Sequence, residues 1–260
     1  MHGQLKQEYR VDDDVRIFIL DTGRLECDAN LVVAWTVVGT KQMKNPTIKW
    51  IKIPTYAVLI DHPQRKILFD LGARPGYVYP KEYSDWSPHY YEENQLLEHQ
   101  LALAGYKPKD VSDVVLSHLH FDHSGNLNLF DHAEIYLNAS ELKSDVASFV
   151  SIKKPHFVEE DMYIAPGVRV ITLPGHTMGL LGIVVHLREE GTLIFPSDAI
   201  YARGNYGPPA RLSGIVYDSL AYFASIDKVR RLEAEHNARV MFSHDMEFFE
   251  TMKKAPEFYK

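Results

Sequence analysis

Six consecutive residues, His118-Leu119-His120-Phe121-Asp122-His123, most constrain what this chain can fold into. They directly follow an apolar run at residues 114–116, which predicts a short buried strand. In extended backbone, residues two apart point to the same side, so His118, His120 and Asp122 can face one point and His123 a neighbouring one. Imidazole nitrogen and carboxylate oxygen are good ligands for zinc and similar metals. A catalytic zinc ion takes three protein ligands and keeps one position open, so for four such ligands in six residues the simpler explanation is a site for two ions.

Three more candidate ligands, His176, Asp198 and His244, each lie just beyond a predicted strand. Taken alone, each is more often a surface or cap residue. Ligand-binding loops of open sheets, however, gather at the carboxyl ends of the strands, and these three complete two coordination spheres. The remaining histidines lack this placement and are predicted to be surface residues; they are His2, His62, His89, His99, His132, His156, His186 and His236.

Strands and helices alternate over much of the chain. The predicted strands are residues 15–20, 56–61, 66–70, 114–116, 168–173, 181–187, 192–195 and 240–242, with a tight turn at 62–65. The predicted helices are residues 97–104, 140–149 and 219–236, the last with a buried stripe of Leu220, Phe223, Ile226, Val229 and Leu232. Early hairpins followed by alternation predict an α/β layered sandwich. Because no linker or repeat interrupts the pattern, we expect one domain over residues 1–260.

Composition limits the partners and the compartment. The formal net charge is −7 and no long basic run occurs, so nucleic acid is not expected. Cys27 is the one cysteine; it is expected to be a buried apolar residue, and no internal disulfide can form. The polar segment 1–14 is not a signal peptide, and no apolar stretch has the length of a membrane span. These features favour a cytoplasmic protein without a membrane partner.

The order of the motifs resembles the metallo-beta-lactamase superfamily over nearly the whole chain. The motifs are the hexapeptide, then Pro174-Gly175-His176-Thr177, Ser197-Asp198-Ala199 and Ser243-His244-Asp245, with Phe69-Asp70-Leu71-Gly72 ahead of them. The resemblance implies a four-layer αββα sandwich. It assigns one metal to His118, His120 and His176, the other to Asp122, His123 and His244, and a bridging role to Asp198. Asp70 is then either an acceptor that orients a ligand imidazole or the polar end of a strand.

Within that superfamily the details resemble the quorum-quenching N-acyl homoserine lactonases. The heptapeptide from Ser117 to His123, including Phe121, and the position of Tyr201 three residues after Asp198 carry this likeness. It implies a small-molecule lactone substrate, whose ring is opened by a hydroxide shared between two metal ions. Tyr201 would contact the substrate and stabilise the oxyanion, Asp122 would be the general acid, and Phe121 would contact the acyl tail. Tyr201 as a packing residue is the alternative.

Two segments differ most from that family, the aromatic stretch of residues 76–91 and the loop of residues 204–214. Both are expected to line the acyl pocket. The ions are expected to be zinc, although His and Asp ligands also suit iron, cobalt and manganese. A homodimer is compatible with the resemblance, since lactonases of this kind include dimers.

Other functions remain as alternatives. A glyoxalase-II-like thioesterase would need a helical domain after His244, where the sequence is short, and another small-ester metallohydrolase is a related option. A secreted β-lactamase would carry Cys in place of Asp198. The acidic balance disfavours a phosphodiesterase that acts on nucleic acid. A di-iron redox protein would carry a carboxylate in place of His120, and a non-catalytic binding protein would have lost a ligand.

Overall fold

The computed structural model describes residues 14–76, 85–153 and 155–260. Within these residues the strands are β1 (Arg16–Asp28), β2 (Trp50–Asp61), β3 (Lys66–Phe69), β4 (His89–Tyr90), β5 (Asp113–Val115), β6 (Glu134–Leu137), β7 (Pro155–Phe157), β8 (Met162–Ala165), β9 (Val168–Thr172), β10 (Leu181–Leu187), β11 (Gly191–Phe195) and β12 (Arg239–Val240). The helices are α1 (Ala29–Val32), α2 (Leu97–Leu103), α3 (Phe121–Ser124), α4 (Arg203–Tyr206), α5 (Ser219–His236) and α6 (Met246–Glu250).

These strands form two sheets that pack face to face. A seven-stranded sheet has the order β4-β1-β2-β3-β5-β6-β7, and a five-stranded sheet has the order β12-β11-β10-β9-β8. Strands β3, β5, β6 and β7 run parallel, as do β11 and β12, whereas β1–β2 and β8–β11 are antiparallel. Alternate side chains such as Ile19, Phe69, Val170 and Phe195 fill the space between the sheets.

Helices cover the outer face of each sheet. Leu97 and Leu101 of α2 belong to an apolar cluster on the seven-stranded sheet. Ile226 and Val229 of α5 belong to another on the five-stranded sheet. The layers therefore follow the order α, β, β, α, and the predicted four-layer sandwich is confirmed.

Helix α5 spans the predicted residues, but the predicted buried stripe is partly wrong. Ile226 and Val229 are buried, whereas Leu220 is 82% exposed and Phe223 is 37% exposed. Three residues cover about 300° of a helix, which is about 60° less than a full turn. Residues spaced by three therefore drift around the helix, and those nearest the N-terminus no longer lie on the buried face. Tyr222 and Ser225 are buried instead.

The helix predicted at residues 140–149 is also wrong. The segment forms two 3₁₀ turns, Ala139–Lys143 and Asp145–Phe149. Ser144 between them has extended backbone, and its hydroxyl donates to the carbonyl of Glu141 at 2.7 Å. This side-chain bond satisfies the carbonyl locally, so the backbone does not continue as an α-helix.

Two further predictions need correction and one is confirmed. His62 and His186 are buried rather than on the surface. Strand β1 continues well beyond residue 20, because a register shift between Asp21 and Arg24 allows its pairing with β2 to continue past Gly23. Cys27 is buried, as predicted.

Among the helices in the described ranges, none combines the length and the apolar character that a membrane crossing requires.

Gly175 permits close packing between α5 and the loop after β9. Its φ is +141°, and a Cβ there would lie 2.4 Å from the backbone N and Cα of Tyr222. The carbonyl of Gly175 accepts hydrogen bonds from the backbone N–H groups of Tyr217 and Asp218, just before α5. Because His176 is the next residue, this contact fixes the position of a candidate ligand.

We expect Gly175→Ala to lower the free energy of unfolding by several kcal/mol, since the added methyl must displace α5 or the loop. Gly191→Ala is the matched control, because Gly191 also has positive φ (+72°) but open space around it. Its cost should be about 1 kcal/mol. Urea denaturation of the two variants makes the comparison. Equal losses would show that the backbone conformation alone, rather than the contact with α5, requires glycine at 175.

Candidate metal centre

The structure brings all seven predicted ligands together at one end of the two sheets. They form two clusters, His118, His120, His176 and Asp198, and Asp122, His123 and His244. Strands β5, β9, β11 and β12 end at this edge, and each is followed by one or more of the ligands. All seven are buried except His120, which is half-buried. Residues far apart in the chain thus form one cluster of polar side chains inside an otherwise apolar fold.

The first cluster contains three imidazoles whose nitrogens converge. The Nδ1 atom of His120 lies 2.9 Å from Nε2 of His118 and 3.0 Å from Nε2 of His176. Two nitrogens bound to one zinc ion at about 2.0–2.1 Å lie roughly 3.3 Å apart when the geometry is tetrahedral. The three nitrogens are therefore close to the separation that one ion requires.

The second cluster places a carboxylate opposite two imidazoles. The Oδ2 atom of Asp122 lies 3.5 Å from Nε2 of His123 and 3.6 Å from Nε2 of His244. His123 and Asp122 lie on the short helix α3, where the chain turns away from the extended loop of the hexapeptide. That turn directs His123 toward a second point, as the sequence predicts.

Asp198 lies between the clusters and faces both. Its Oδ2 is 3.5 Å from Nε2 of His176 and 3.8 Å from Nε2 of His118. Its Oδ1 is 3.3 Å from Nε2 of His123 and 3.1 Å from Nε2 of His244. One oxygen per cluster is the arrangement that a bridging carboxylate needs.

Hydrogen bonds at Nδ1 orient four of the five rings. Nδ1 of His118 is 2.9 Å from the Ser117 hydroxyl, and that of His123 is 2.8 Å from Oδ2 of Asp70. The Nδ1 atoms of His176 and His244 lie 2.8 Å and 2.9 Å from the carbonyls of Ile215 and Pro54. When the one proton of a neutral imidazole is on Nδ1, Nε2 is unprotonated and its lone pair can bind a metal ion in the site.

Asp70 lies where the first of its two predicted roles requires, because its carboxylate contacts the imidazole of the candidate ligand His123. It also accepts the backbone N–H and the hydroxyl of Ser117, both at 2.8 Å. Its backbone has a φ of +57°, a strained conformation for a residue with a side chain. The network of contacts around its carboxylate compensates for that strain.

Three serines form a layer beneath the ligands, and sequence reasoning assigned them no role. Ser197 donates to the hydroxyl of Ser117 at 2.9 Å, and Ser243 donates to Oδ1 of Asp198 at 3.0 Å. Each immediately precedes a candidate ligand, which is His118, Asp198 or His244. The sequence feature that could have identified these serines is their position, directly before each of three candidate ligands.

The imidazoles of the first cluster are held neutral. Burial and the neighbouring rings of His123 and His120 keep the pKa of His118 well below its ordinary value. Burial lowers the pKa of His120 to about 3 and also lowers the pKa of His176. Neutral imidazole is the form that binds a metal.

The second cluster lies in a negative potential. Burial opposes protonation of His123 and His244, but nearby carboxylates, first that of Asp198, outweigh it and raise the pKa of both rings. Nε2 of His123 is nevertheless buried without a hydrogen-bond partner. A buried nitrogen without a donor or acceptor, beside carboxylates that attract positive charge, fits a metal ligand. The residues present therefore fit two divalent ions.

An apolar pocket opens directly on these clusters. His120, Asp122, Asp198 and His244 form its polar floor, together with Tyr201. Its walls are mainly apolar side chains, namely Leu25, Cys27, Leu31, Val32, Ile53, Trp86, Phe121 and Ile215. The Oη atom of Tyr201 lies 3.5 Å from Nδ1 of His176. Burial and the carboxylates of Asp198 and Asp122 raise the pKa of this phenol well above its ordinary value, so it remains a proton donor.

The two segments expected to line the pocket do so only in part. Trp86 and Ser87 of the aromatic stretch are lining residues, whereas residues 77–84, with Tyr77, Tyr79 and Tyr83, lie outside the described residues. The loop of residues 204–214 supplies none of the described lining residues, so that expectation is wrong. Ile215, the next residue, lines the pocket instead.

Known proteins resemble this chain along nearly its full length. The N-acyl homoserine lactonase AiiB of Agrobacterium fabrum is 29% identical, over 94% of this chain and 99% of that protein. An N-acyl homoserine lactonase of Bacillus thuringiensis is 24% identical, over 94% of this chain and 98% of that protein.

Solved structures share the fold. An N-acyl homoserine lactone hydrolase with the product N-hexanoyl-L-homoserine at its catalytic metal centre superposes with a TM-score of 0.81, at 20% identity over 94% of this chain and 98% of that one. The dizinc quorum-quenching lactonase AidC superposes with a TM-score of 0.68, at 20% identity over 94% of this chain and 93% of that one.

The family model described as the metallo-beta-lactamase superfamily matches residues 51–244. That range runs from the start of β2 to the last ligand, His244, and so includes every residue of both clusters. The fold, the order of the ligand loops and this match agree, and the chain belongs to the metallo-beta-lactamase superfamily.

Proposed function

We propose that this protein is a metal-dependent hydrolase that opens the lactone ring of N-acyl homoserine lactones. The observation that carries the proposal is the apolar pocket whose floor is formed by Tyr201 and residues of the two clusters of candidate metal ligands. An acyl homoserine lactone has the matching parts, a polar ring with an ester carbonyl and an apolar tail. The relatives named N-acyl homoserine lactonases support the same substrate class.

We propose that zinc occupies both clusters, which hold five imidazoles and two carboxylates between them. His118, His120 and His176 would hold one ion, Asp122, His123 and His244 the other, and Asp198 both. Divalent ions in such a pair supply Lewis acidity, which lowers the pKa of water to about 7 and polarises a carbonyl. The chain supplies the remaining requirements, which are orientation of the ester, a donor to the oxyanion and a proton carrier.

Tyr201 is positioned to donate to the developing oxyanion. Its hydroxyl is buried at the pocket floor, and its ring packs edge-on against those of His244 and His176. These contacts fix the phenol before the substrate arrives. A preorganised donor stabilises charge that appears on the carbonyl oxygen when water adds to the carbonyl carbon.

Asp122 is positioned to carry the proton. Its Oδ2 faces the second cluster, and Asp122 also lines the pocket. As the water oxygen bonds to the carbonyl carbon, the carboxylate of Asp122 accepts the proton that the water loses. When the ring C–O bond breaks, that proton passes to the alkoxide oxygen, which gives the neutral alcohol of the hydroxy acid.

The thioesterase alternative fits this pocket less well. A glutathione thioester presents carboxylates and peptide groups, which need basic or polar partners. The described residues that line the pocket include neither Lys nor Arg. Apolar walls favour an alkyl tail instead.

We also propose that one domain contains the whole site, since ligands from both sheets complete each cluster. A cytoplasmic location suits a chain whose one cysteine is buried and unpaired.

Asp198→Asn should lose bound metal and activity together, because a neutral amide cannot balance two divalent charges. We expect two ions per wild-type chain by elemental analysis and one or fewer in the variant. Asp161→Asn is the control, since Asp161 is a carboxylate paired with Lys228 at 2.6 Å, outside both clusters. It should keep both ions. An Asp198 variant with two ions would rule out the bridging role.

Tyr201→Phe should keep both ions and lower kcat on the best lactone by up to about 10²-fold, because one oxyanion donor is lost. Tyr222→Phe is the control, as Tyr222 is a buried tyrosine that is not among the pocket-lining residues. Unchanged steady-state kinetics for Tyr201→Phe would remove the phenol from the mechanism.

Lengthening the acyl tail should raise kcat/KM until the pocket is full. Each buried methylene adds up to about 0.8 kcal/mol, so two carbons correspond to roughly tenfold. One enzyme preparation is assayed with short- and long-chain acyl homoserine lactones and with lactoyl-glutathione. If the thioester is the better substrate, or if tail length has no effect, the lactonase proposal fails while the metallohydrolase assignment stands.

Ile215→Trp should abolish the preference for long tails, because the larger ring fills the pocket from its wall. Val216→Trp is the matched control, since Val216 is also half-buried but is absent from the pocket wall. The ratio of kcat/KM for long and short tails is the readout. An equal ratio in both variants would place the tail elsewhere.

A further inference from the structure

Glu141 is a buried carboxylate that belongs to neither metal cluster. Its side chain lies in the 3₁₀ turn Ala139–Lys143, and the residue is 1% exposed. Within the described part of the chain, no ion pair of Glu141 with Lys, Arg or His is observed. Burial raises the pKa of this carboxyl group. An acidic side chain in such a place requires strong hydrogen-bond donors.

The donors come from the two loops that carry the first cluster. Oε2 of Glu141 accepts the backbone N–H of Leu119 at 3.3 Å, and Oε1 accepts the backbone N–H of Gly179 at 2.9 Å. Leu119 lies between the candidate ligands His118 and His120, and Gly179 lies three residues after His176. One carboxylate therefore joins the loops that supply all three imidazoles of that cluster.

The turn holds Glu141 firmly. Its backbone N–H donates to the carbonyl of Asn138 at 3.1 Å, and its carbonyl accepts the hydroxyl of Ser144 at 2.7 Å. The Asn138 side chain in turn donates to the carbonyl of Val158 at 2.7 Å, which ties the turn to the end of β7. The backbone that carries the Glu141 carboxylate is thus held in place by hydrogen bonds.

The partner loop is shaped to receive this carboxylate. A Cβ at Gly179 would lie 2.8 Å from Oε1 of Glu141 and 3.0 Å from Oδ1 of Asn138. Any side chain at position 179 would push the carboxylate away from the backbone N–H. The absence of a side chain here is a second observation, independent of the hydrogen bonds, that favours a specific contact.

We propose that Glu141 is a positioning residue that holds the His118–His120 loop and the His176 loop at the separation required by one metal ion. The proposal rests on the metal centre of the proposed function, although not on the identity of the substrate. Two N–H donors need two acceptor oxygens, which a carboxylate offers. Glutamine would offer one oxygen and turn an NH₂ group against the other N–H, so even this isosteric change breaks one link.

The test compares Glu141→Gln with Asp113→Asn in the metal-loaded protein. Asp113 is the matched control, because it is a buried carboxylate in neighbouring β5 whose partner, Arg65 at 2.6 Å, is outside both clusters. Zinc affinity is measured by competition with a chelator. Loss of a partner that orients ligands typically weakens metal binding ~10- to 100-fold. We expect that loss for one of the two ions in Glu141→Gln and wild-type affinity for both in Asp113→Asn.

Cobalt substitution supplies a readout that a purely structural role would not change. The visible absorption of bound Co²⁺ reports ligand geometry, so it should shift in Glu141→Gln and stay unchanged in Asp113→Asn. Gly179→Ala tests the same link from the other side, in case the glutamine variant does not fold. It should weaken the same ion, and combining it with Glu141→Gln should add little further loss.

Wild-type zinc affinity and an unchanged cobalt spectrum in both Glu141→Gln and Gly179→Ala would overturn the proposal, even if both variants unfold more easily. A wild-type chain that binds no metal would overturn it too. A wild-type chain that binds two ions but fails to open any lactone would defeat the proposed function only, because the metal readouts on the variants still decide the role of Glu141.

Discussion

The rest of the structure depends on the burial of carboxylates where the two sheets meet. Asp70, Asp122 and Asp198 all lie within a few ångströms of the imidazole of His123. Three carboxylates around one imidazole, in a medium of low polarity, favour positive charge at this point, from protons or from metal ions. Serine hydroxyls that donate to Asp70 and Asp198 help to make this concentration of carboxylates tolerable.

The layered fold separates two tasks. The sheets and their outer helices form three apolar clusters that involve none of the candidate ligands, which lie on loops at one edge of the sheets. The polar floor belongs to those loops, and the pocket above it is walled by apolar residues of α1 and the neighbouring strands β1 and β2. Leu25 and Ile53 of these walls share an apolar cluster with Tyr201, so the walls also hold the phenol at the pocket floor.

Local sequence patterns predicted those structural features that depend on residues close together in the chain. The hexapeptide, helix α5 and the turn at residues 62–65 are of this kind, and the ligands were found because each follows a strand. Contacts across the chain were not predictable: Ser117 and Asp70 are 47 residues apart, and Glu141 and Gly179 are 38 apart. The helix expected at residues 140–149 failed for the same reason. The Ser144 side chain and the distant partners of Glu141, which are Leu119 and Gly179, determine the shape of this segment.

The position of Asp198 between the two clusters would couple two bound ions. Because its two oxygens face different clusters, an ion in one cluster would polarise the carboxylate that the other cluster shares and would fix the angle of that carboxylate. A first ion would thus remove rotational freedom that a second would otherwise have to restrict, while the like charges of the two ions would oppose each other. Their affinities would form one coupled equilibrium, in which each ion gains from the other the same free energy that it gives.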